Sequence, residues 1–239
     1  MRSFPLSRSA AENVGIWMMQ ENSVEKLELK TGSRCKLGEN RDILFEINKD
    51  NLNLCLWKRN ENHALAKEVA AFGPFELRDR RISTTKLTFD ADVQKIMLDQ
   101  SVDPSACSNL REDLRRLADI FFTLSESCDT RFRLFTTIDD DCQRFHVDYK
   151  HLRMICTYQG PGTEWLTEDQ ANRDAYADGG YNEDIIRYGT PGRFKTSWVG
   201  ILKDDGFPGN RGGGLMHRSP SLAGCQDIRV VFCLESARL

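Results

Sequence analysis

Four histidines, His63, His146, His151 and His217, are among the scarcest chemistry-bearing residues of this 239-residue chain. One of them, His146, stands two residues before Asp148 in Phe145-His146-Val147-Asp148. On an extended strand, residues two apart point to one face with Cα atoms about 6.5 Å apart. An imidazole and a carboxylate so placed can approach one cation from the same side. A third donor from a distant element would complete one face of the coordination sphere and leave the other open, as in two-histidine, one-carboxylate iron centres. His217, 71 residues downstream at the start of a short strand, is the natural third donor. Arg229 follows 12 residues later in Asp227-Ile228-Arg229-Val230-Val231-Phe232. Its planar fork suits the carboxylate of an acid cosubstrate. The same residues admit a plainer reading, a structural His217 with Arg229 paired to Asp227 or Glu235.

Cys142, four residues before His146, could add a fourth donor and close the set into a zinc-like site. The alternative is a buried thiol that only packs. The segment Thr157-Tyr158-Gln159-Gly160-Pro161-Gly162-Thr163-Glu164-Trp165 reads as a strand running into a rigid turn. Tyr158, Trp165 and Trp198 are expected near the mouth of a pocket, as wall or lid, with a core role for Trp165 as the alternative. Asp139-Asp140-Asp141 reads as a solvated turn. Gly209-Asn210-Arg211-Gly212-Gly213-Gly214 lacks the Gly-Lys-Ser/Thr ending of a phosphate-binding loop, and no Gly-x-Ser-x-Gly elbow supports serine hydrolysis.

Several elements must position these residues. Leu110, Leu114, Leu117, Phe121 and Leu124 line one face of a helix over 104–125, with Asp103 as its cap and Pro104 in the first turn. Ile43–Ile47 and Leu52–Trp57 read as strands around a turn, and Lys86–Phe89 as a weaker strand. Asn60 could cap a short helix carrying Leu65, Val69 and Phe72. After residue 128 the pattern turns to strands: 131–138, one opening at His146, 152–158, 198–202, 215–217 and 228–234. Ile228, Val230, Phe232 and Leu234 share a face, which puts Arg229 on the other. The polar stretch 159–193 reads as a long loop over the site, because loops of that length tend to be functional. These elements form a β core in the second half, braced by helices from the first. We expect one domain over 1–239, with helices and edge strands in 1–128 and the site in 129–239.

Composition narrows the classes. Hydrophobic residues are 40% and charged residues 29%, the balance of a globular protein with a real core. A formal charge of −3 argues against binding nucleic acid through a broad basic surface. No apolar run approaches the roughly 20 residues of a membrane span. The first residues carry two arginines and no acid before Glu12, which leaves a weak transit-peptide reading and no secretory pattern. Eight cysteines without a Cys-x-x-Cys pair point to reduced thiols in the cytoplasm.

The stretches Phe145-His146-Val147-Asp148, Leu152–Leu166, Leu202-Lys203, His217-Arg218-Ser219-Pro220 and Arg229 resemble the family catalogued as domain of unknown function 1826. Bacterial members of that family often neighbour zinc-homeostasis genes, which implies a zinc-binding role as an alternative. The His-x-Asp, distal His and trailing Arg pattern is also similar to Fe(II)/2-oxoglutarate-dependent dioxygenases. That resemblance implies a mainly β fold with flanking helices (α+β) and a double-stranded β-helix core of the jelly-roll or cupin kind. It implies Fe(II) on His146, Asp148 and His217, and 2-oxoglutarate held by Arg229, with Arg153 as second candidate. The implied partner is a substrate that the residues do not name. A metal-free interaction protein on the same fold is the third alternative.

Overall fold

Alternation along two long strands builds the centre of the molecule. In β5 (Leu152–Gln159) and β10 (Arg229–Ala237), Leu152, Met154, Cys156 and Tyr158 join Val230, Phe232 and Leu234 in one core. The odd-numbered residues of β5, Arg153 to Gln159, and those of β10, Arg229 to Glu235, therefore point to the opposite face. The computed structural model describes residues 34–237, except 75, 126–128, 140, 141 and 223–227. The leader reading of the first residues, Asp140 and Asp141 of the acid run, and Asp227 lie outside the described residues.

β5 and β10 belong to a seven-stranded sheet with β1 (Cys35–Gly38), β2 (Leu54–Trp57), β3 (Ile82–Thr84), β4 (Asp129–Thr137) and β8 (Val199–Lys203). The order is β1-β2-β8-β5-β10-β4-β3, and every pairing is antiparallel except that of β1 with β2. A smaller sheet, β7-β6-β9, pairs β6 (Glu164–Trp165) with β7 (Gly192–Arg193) and β9 (His217–Arg218). It covers the polar face of the larger one. Arg153 of β5 reaches His217 of β9, and Arg229 of β10 reaches the Pro161 carbonyl just before β6. Gly200 of β8 packs so close to the Phe194 ring that a Cβ there would lie 2.4 Å from it. The result is a mainly β fold with a double-stranded β-helix core, and it carries helices on one side. Strands β1 to β3 come from the first half of the chain, and β2 and β3 pair with β8 and β4 of the second.

The apolar face of the larger sheet is covered by α1 (His63–Val69), α2 (Phe89–Leu98) and α3 (Ser108–Leu124). The Asp103 carboxylate caps the short 3-10 turn Pro104–Cys107 that leads into α3. Leu110, Leu114, Leu117 and Phe121 are fully buried, as their helical spacing requires. Each contributes roughly 1.5–3 kcal/mol by leaving water. Phe89 anchors α2 edge-on to Phe132 and Phe232, at ring separations of 5.4 and 6.1 Å. No helix among the described residues is long and apolar enough to cross a membrane.

Some expected strands are helical. Ile43–Ile47 lies in a 3-10 helix, Arg41–Asn48, whose Asn40 side chain accepts the Asp42 N–H. Lys86–Thr88 is a turn into α2, where Phe89, Val93, Ile96 and Met97 are buried at helical spacing. The short helix α1 is capped by Asn62 rather than Asn60. The 159–193 stretch is also no bare loop. It holds β6, α4 (Arg173–Ala177), α5 (Asn182–Ile185) and β7, and it encloses a second small core of Phe145, Leu166, Ala171, Ile185 and Met216.

Candidate metal centre

His146 and His217 meet through their backbones. Each N–H donates to the other's carbonyl at 3.0 Å, an isolated antiparallel bridge in place of the expected strand at His146. The bridge sets the two imidazoles side by side, with ring centroids 4.7 Å apart. β9 continues on its other side into β6, where Trp165 pairs with His217. Asp148 is held differently, by its carbonyl, which accepts the Asp205 N–H at 3.1 Å.

The donor atoms converge. One ligand atom from each of His146, Asp148 and His217 lies within 4.8 Å of the others. Cys142 is not in this group, nor are His63 and His151. The Cys142 thiol is exposed on a backbone with φ of 56°, so the four-donor closed arrangement is not assembled. Nδ1 of His146 lies 2.9 Å from the Arg144 carbonyl, and Nδ1 of His217 lies 3.1 Å from the Leu215 carbonyl. Each Nδ1–H therefore donates outward, leaving the Nε2 lone pair as the ligating position. Burial, with His217 alongside, holds the His146 imidazole below its ordinary value, so it is neutral at pH 7. Burial pushes the Asp148 carboxyl up, but His217 and the Arg153 charge outweigh it and hold the group well below the usual carboxylate range. Two imidazoles and one carboxylate on one side suit a divalent transition metal.

Arg153 is the arginine in contact with this group. Its guanidinium is buried, pairs with Asp148 Oδ2 through Nη1, and lies 3.4 Å from His217 Nε2. Nη2 donates to Glu235 Oε1 at 3.0 Å. Asp204, just past β8, is fully buried nearby, and neither of its carboxylate oxygens has a hydrogen-bond partner. Burial pushes its carboxyl well above the ordinary range, with Arg153 the main opposing charge.

Arg229 shares the inner face but begins β10 six residues before Glu235, about 20 Å along the strand. Its Nε donates to the Pro161 carbonyl at 2.8 Å, and its stem packs on Gly160, where φ is +76° and a Cβ would be 3.0 Å from it. Thr157 Oγ1 and Gln159 Oε1 on β5 and Trp165 Nε1 on β6 are also buried without hydrogen-bond partners.

The expected pocket-wall residues separate. Trp165 is buried beside Phe194 and over Gly192, at the inner seam. Tyr158 faces the helices instead. Its hydroxyl donates to Asp113 of α3 at 2.6 Å, on the side of β5 opposite Arg153. Trp198 lies at the other end of β8 from Lys203, between the ammonium groups of Lys58 and Lys195, each 5.6 Å from its ring. Asp204 is the site residue that sequence reasoning did not single out; Glu235, weighed as a partner of Arg229, pairs with Arg153 instead, and Thr157 and Gln159 were read only as part of the strand-to-turn segment. The available signal was a charged residue, Arg153, within the apolar run Leu152-Arg153-Met154-Ile155-Cys156.

The profile of the family described as "Protein of unknown function (DUF1826)" matches residues 38–235. No curated protein matches the chain significantly. Among solved structures, the chain is similar to dioxygenase for auxin oxidation 1 from Arabidopsis thaliana. The identity is 10%, with 86% of this chain and 94% of that one covered and a TM-score of 0.43. Its 2-oxoglutarate complex gives 9% identity, 75% and 74% coverage, and again 0.43. A Pseudomonas putida prolyl-4-hydroxylase gives 11% identity, 75% and 97% coverage, and a TM-score of 0.32.

Proposed function

The chain belongs to the DUF1826 family, and we propose that it is a non-haem Fe(II)- and 2-oxoglutarate-dependent oxygenase of the cytoplasm. The observation that carries this reading is the three-donor face of His146, Asp148 and His217, with no fourth described protein donor in the group. A structural zinc site is closed by four protein ligands, whereas an oxygenase needs open positions. Bound Fe(II) with 2-oxoglutarate and O2 would supply the redox chemistry: 2-oxoglutarate loses CO2 to become succinate, which takes one atom of O2, and the other goes to the substrate.

The chain's own residues would do the rest. Nε2 of each histidine and a carboxylate oxygen of Asp148 hold the ion. Arg229, at the far end of the inner face, binds the distal carboxylate of the cosubstrate. The unpartnered Thr157 hydroxyl, Gln159 carbonyl oxygen and Trp165 N–H would orient it. Buried polar atoms without partners are costly, which supports a polar occupant there. The covering sheet excludes water from the same seam. The thiols of Cys55, Cys107, Cys142, Cys156 and Cys233 suit a reducing compartment.

The test is anaerobic titration of untagged, chelator-free protein with Fe(II) and then 2-oxoglutarate, followed by succinate assay in air. A weak visible charge-transfer band and succinate formation are expected, both lost in His217→Ala. Arg229→Ala should weaken cosubstrate binding about 10- to 100-fold, the loss of one charged hydrogen-bonding group. Tight zinc binding with neither band nor succinate would refute the oxygenase.

A further inference from the structure

On the reading proposed above, Asp148 and His217 must face the ion, yet Arg153 Nη1 already lies on Asp148 Oδ2 and 3.4 Å from His217 Nε2. An ion and a guanidinium cannot hold the same atoms. An ion that takes Asp148 Oδ2 therefore displaces Arg153 Nη1, leaving the buried guanidinium its Nη2 bond to Glu235 Oε1 but no acid opposite Nη1. A partner is at hand. The backbone ties Asp204 to the start of β5: its N–H donates to the His151 carbonyl at 3.2 Å, and the next N–H, of Asp205, donates to the Asp148 carbonyl. Asp204 is fully buried, and both its oxygens lack hydrogen-bond partners.

The neighbouring acid does not fill this role. Glu235 is already surrounded by cations, with Arg81 at 3.6 Å, Arg133 at 3.9 Å and Lys150 at 4.0 Å besides Arg153. That leaves one guanidinium for two carboxyl groups, Asp148 and Asp204. A divalent ion on Asp148 would release Arg153 for the other and leave both satisfied.

We propose that Arg153 is an internal cation that exchanges between Asp148 and Asp204, and that Asp204 receives it when a divalent ion takes Asp148. Asp204 is then a positioning residue for metal binding that never touches the metal. Arg153 competes with the ion, and Asp204 relieves the competition.

The experiment is titration of the full chain with Co(II), followed by its visible absorption, in the wild type, Asp204→Asn, Arg153→Gln and the double variant. Asp204→Asn should bind Co(II) about tenfold or more weakly, as for loss of an outer partner of a metal site. Arg153→Gln should bind at least as tightly as wild type. In that background, Asp204→Asn should change affinity by less than about twofold. Urea unfolding without metal checks the fold, and Asp204→Asn should be no less stable than wild type, since it breaks no hydrogen bond of the carboxylate. Wild-type affinity in Asp204→Asn, weaker binding in Arg153→Gln, or an equal Asp204→Asn loss in both backgrounds overturns the exchange while leaving the metal site standing. A wild type that binds no Co(II) removes the metal site itself, and the exchange falls with it.

Discussion

Replacing Asp113 by alanine should destabilise the chain by about 3–5 kcal/mol, the cost of stranding a buried charge. The Asp113 carboxylate, on α3, accepts both guanidinium ends of Arg59 at 2.6 and 2.7 Å and the Tyr158 hydroxyl at 2.6 Å. The Arg59 and Asp113 side chains are only 13% and 12% exposed, so water cannot replace what is lost. The guanidinium keeps a bond to the Ser197 carbonyl and a contact with Cys156 Sγ, neither of which balances its charge. At roughly 2–4 °C per kcal/mol for a chain of this size, the melting temperature should fall by about 6–20 °C. Removing both charges tells whether the loss is truly one of stranding. Asp113→Leu with Arg59→Met should recover most of the stability, because a buried pair often trades evenly against apolar residues of similar size. Urea unfolding of the wild type, Asp113→Leu, Arg59→Met and their double variant measures the coupling. An Asp113→Ala cost under about 1 kcal/mol, or a double variant as unstable as the single, would refute the reasoning.

Glu68 of α1 caps α3, with Oε1 accepting the Asn109 N–H at 3.0 Å and Oε2 the Leu110 N–H at 2.8 Å. Burial raises its carboxyl, but these bonds outweigh it and leave it below its ordinary 4.5. A depressed folded value means the contribution is present above about pH 4.5 and lost as pH falls through the folded value. Glu68→Gln should therefore cost about 1 kcal/mol by urea unfolding at neutral pH, with the gap to wild type closing in acid. A gap of constant size would contradict the cap. Gly162→Ala would put a Cβ 2.3 Å from the Phe194 carbonyl oxygen, so β6 must shift, at about 1–3 kcal/mol. Hydrogen exchange should then accelerate at the Leu166 amide, which donates to the Met216 carbonyl next to His217, and unchanged protection would count against this coupling.

Periodicity made much of this legible. The Leu110-to-Phe121 spacing specified α3 and its buried face, and the alternation in β10 placed Arg229 opposite Val230 and Phe232. The direction of Tyr158 was also open to parity. It stands five residues from Arg153 on one strand, so the two must face opposite ways. The 41–48 segment misled because a short 3-10 helix burying Ile43, Leu44 and Ile47 has the apolar run of a strand. Arg59, Asp113 and Asp204 were invisible for another reason. Their partners are 54 residues away for the first two. For Asp204, one of two adjacent acids in Lys203-Asp204-Asp205-Gly206 reads as part of an ordinary turn. Pairings made only by the folded topology leave no local spacing to detect.

The reciprocal backbone bond between His146 and His217 works as a ruler. It spaces two donors by a rung of main chain, which no substitution of a neighbouring side chain can lengthen. Asp148 lies outside the ladder, its carbonyl on the Asp205 N–H and its carboxylate on Arg153. Ions of different radius would thus be accommodated by adjustment of the carboxylate while the imidazoles stay put. Changes in metal preference over evolutionary time would accordingly concentrate around Asp148, Arg153 and the 204–205 turn, and spare the rung.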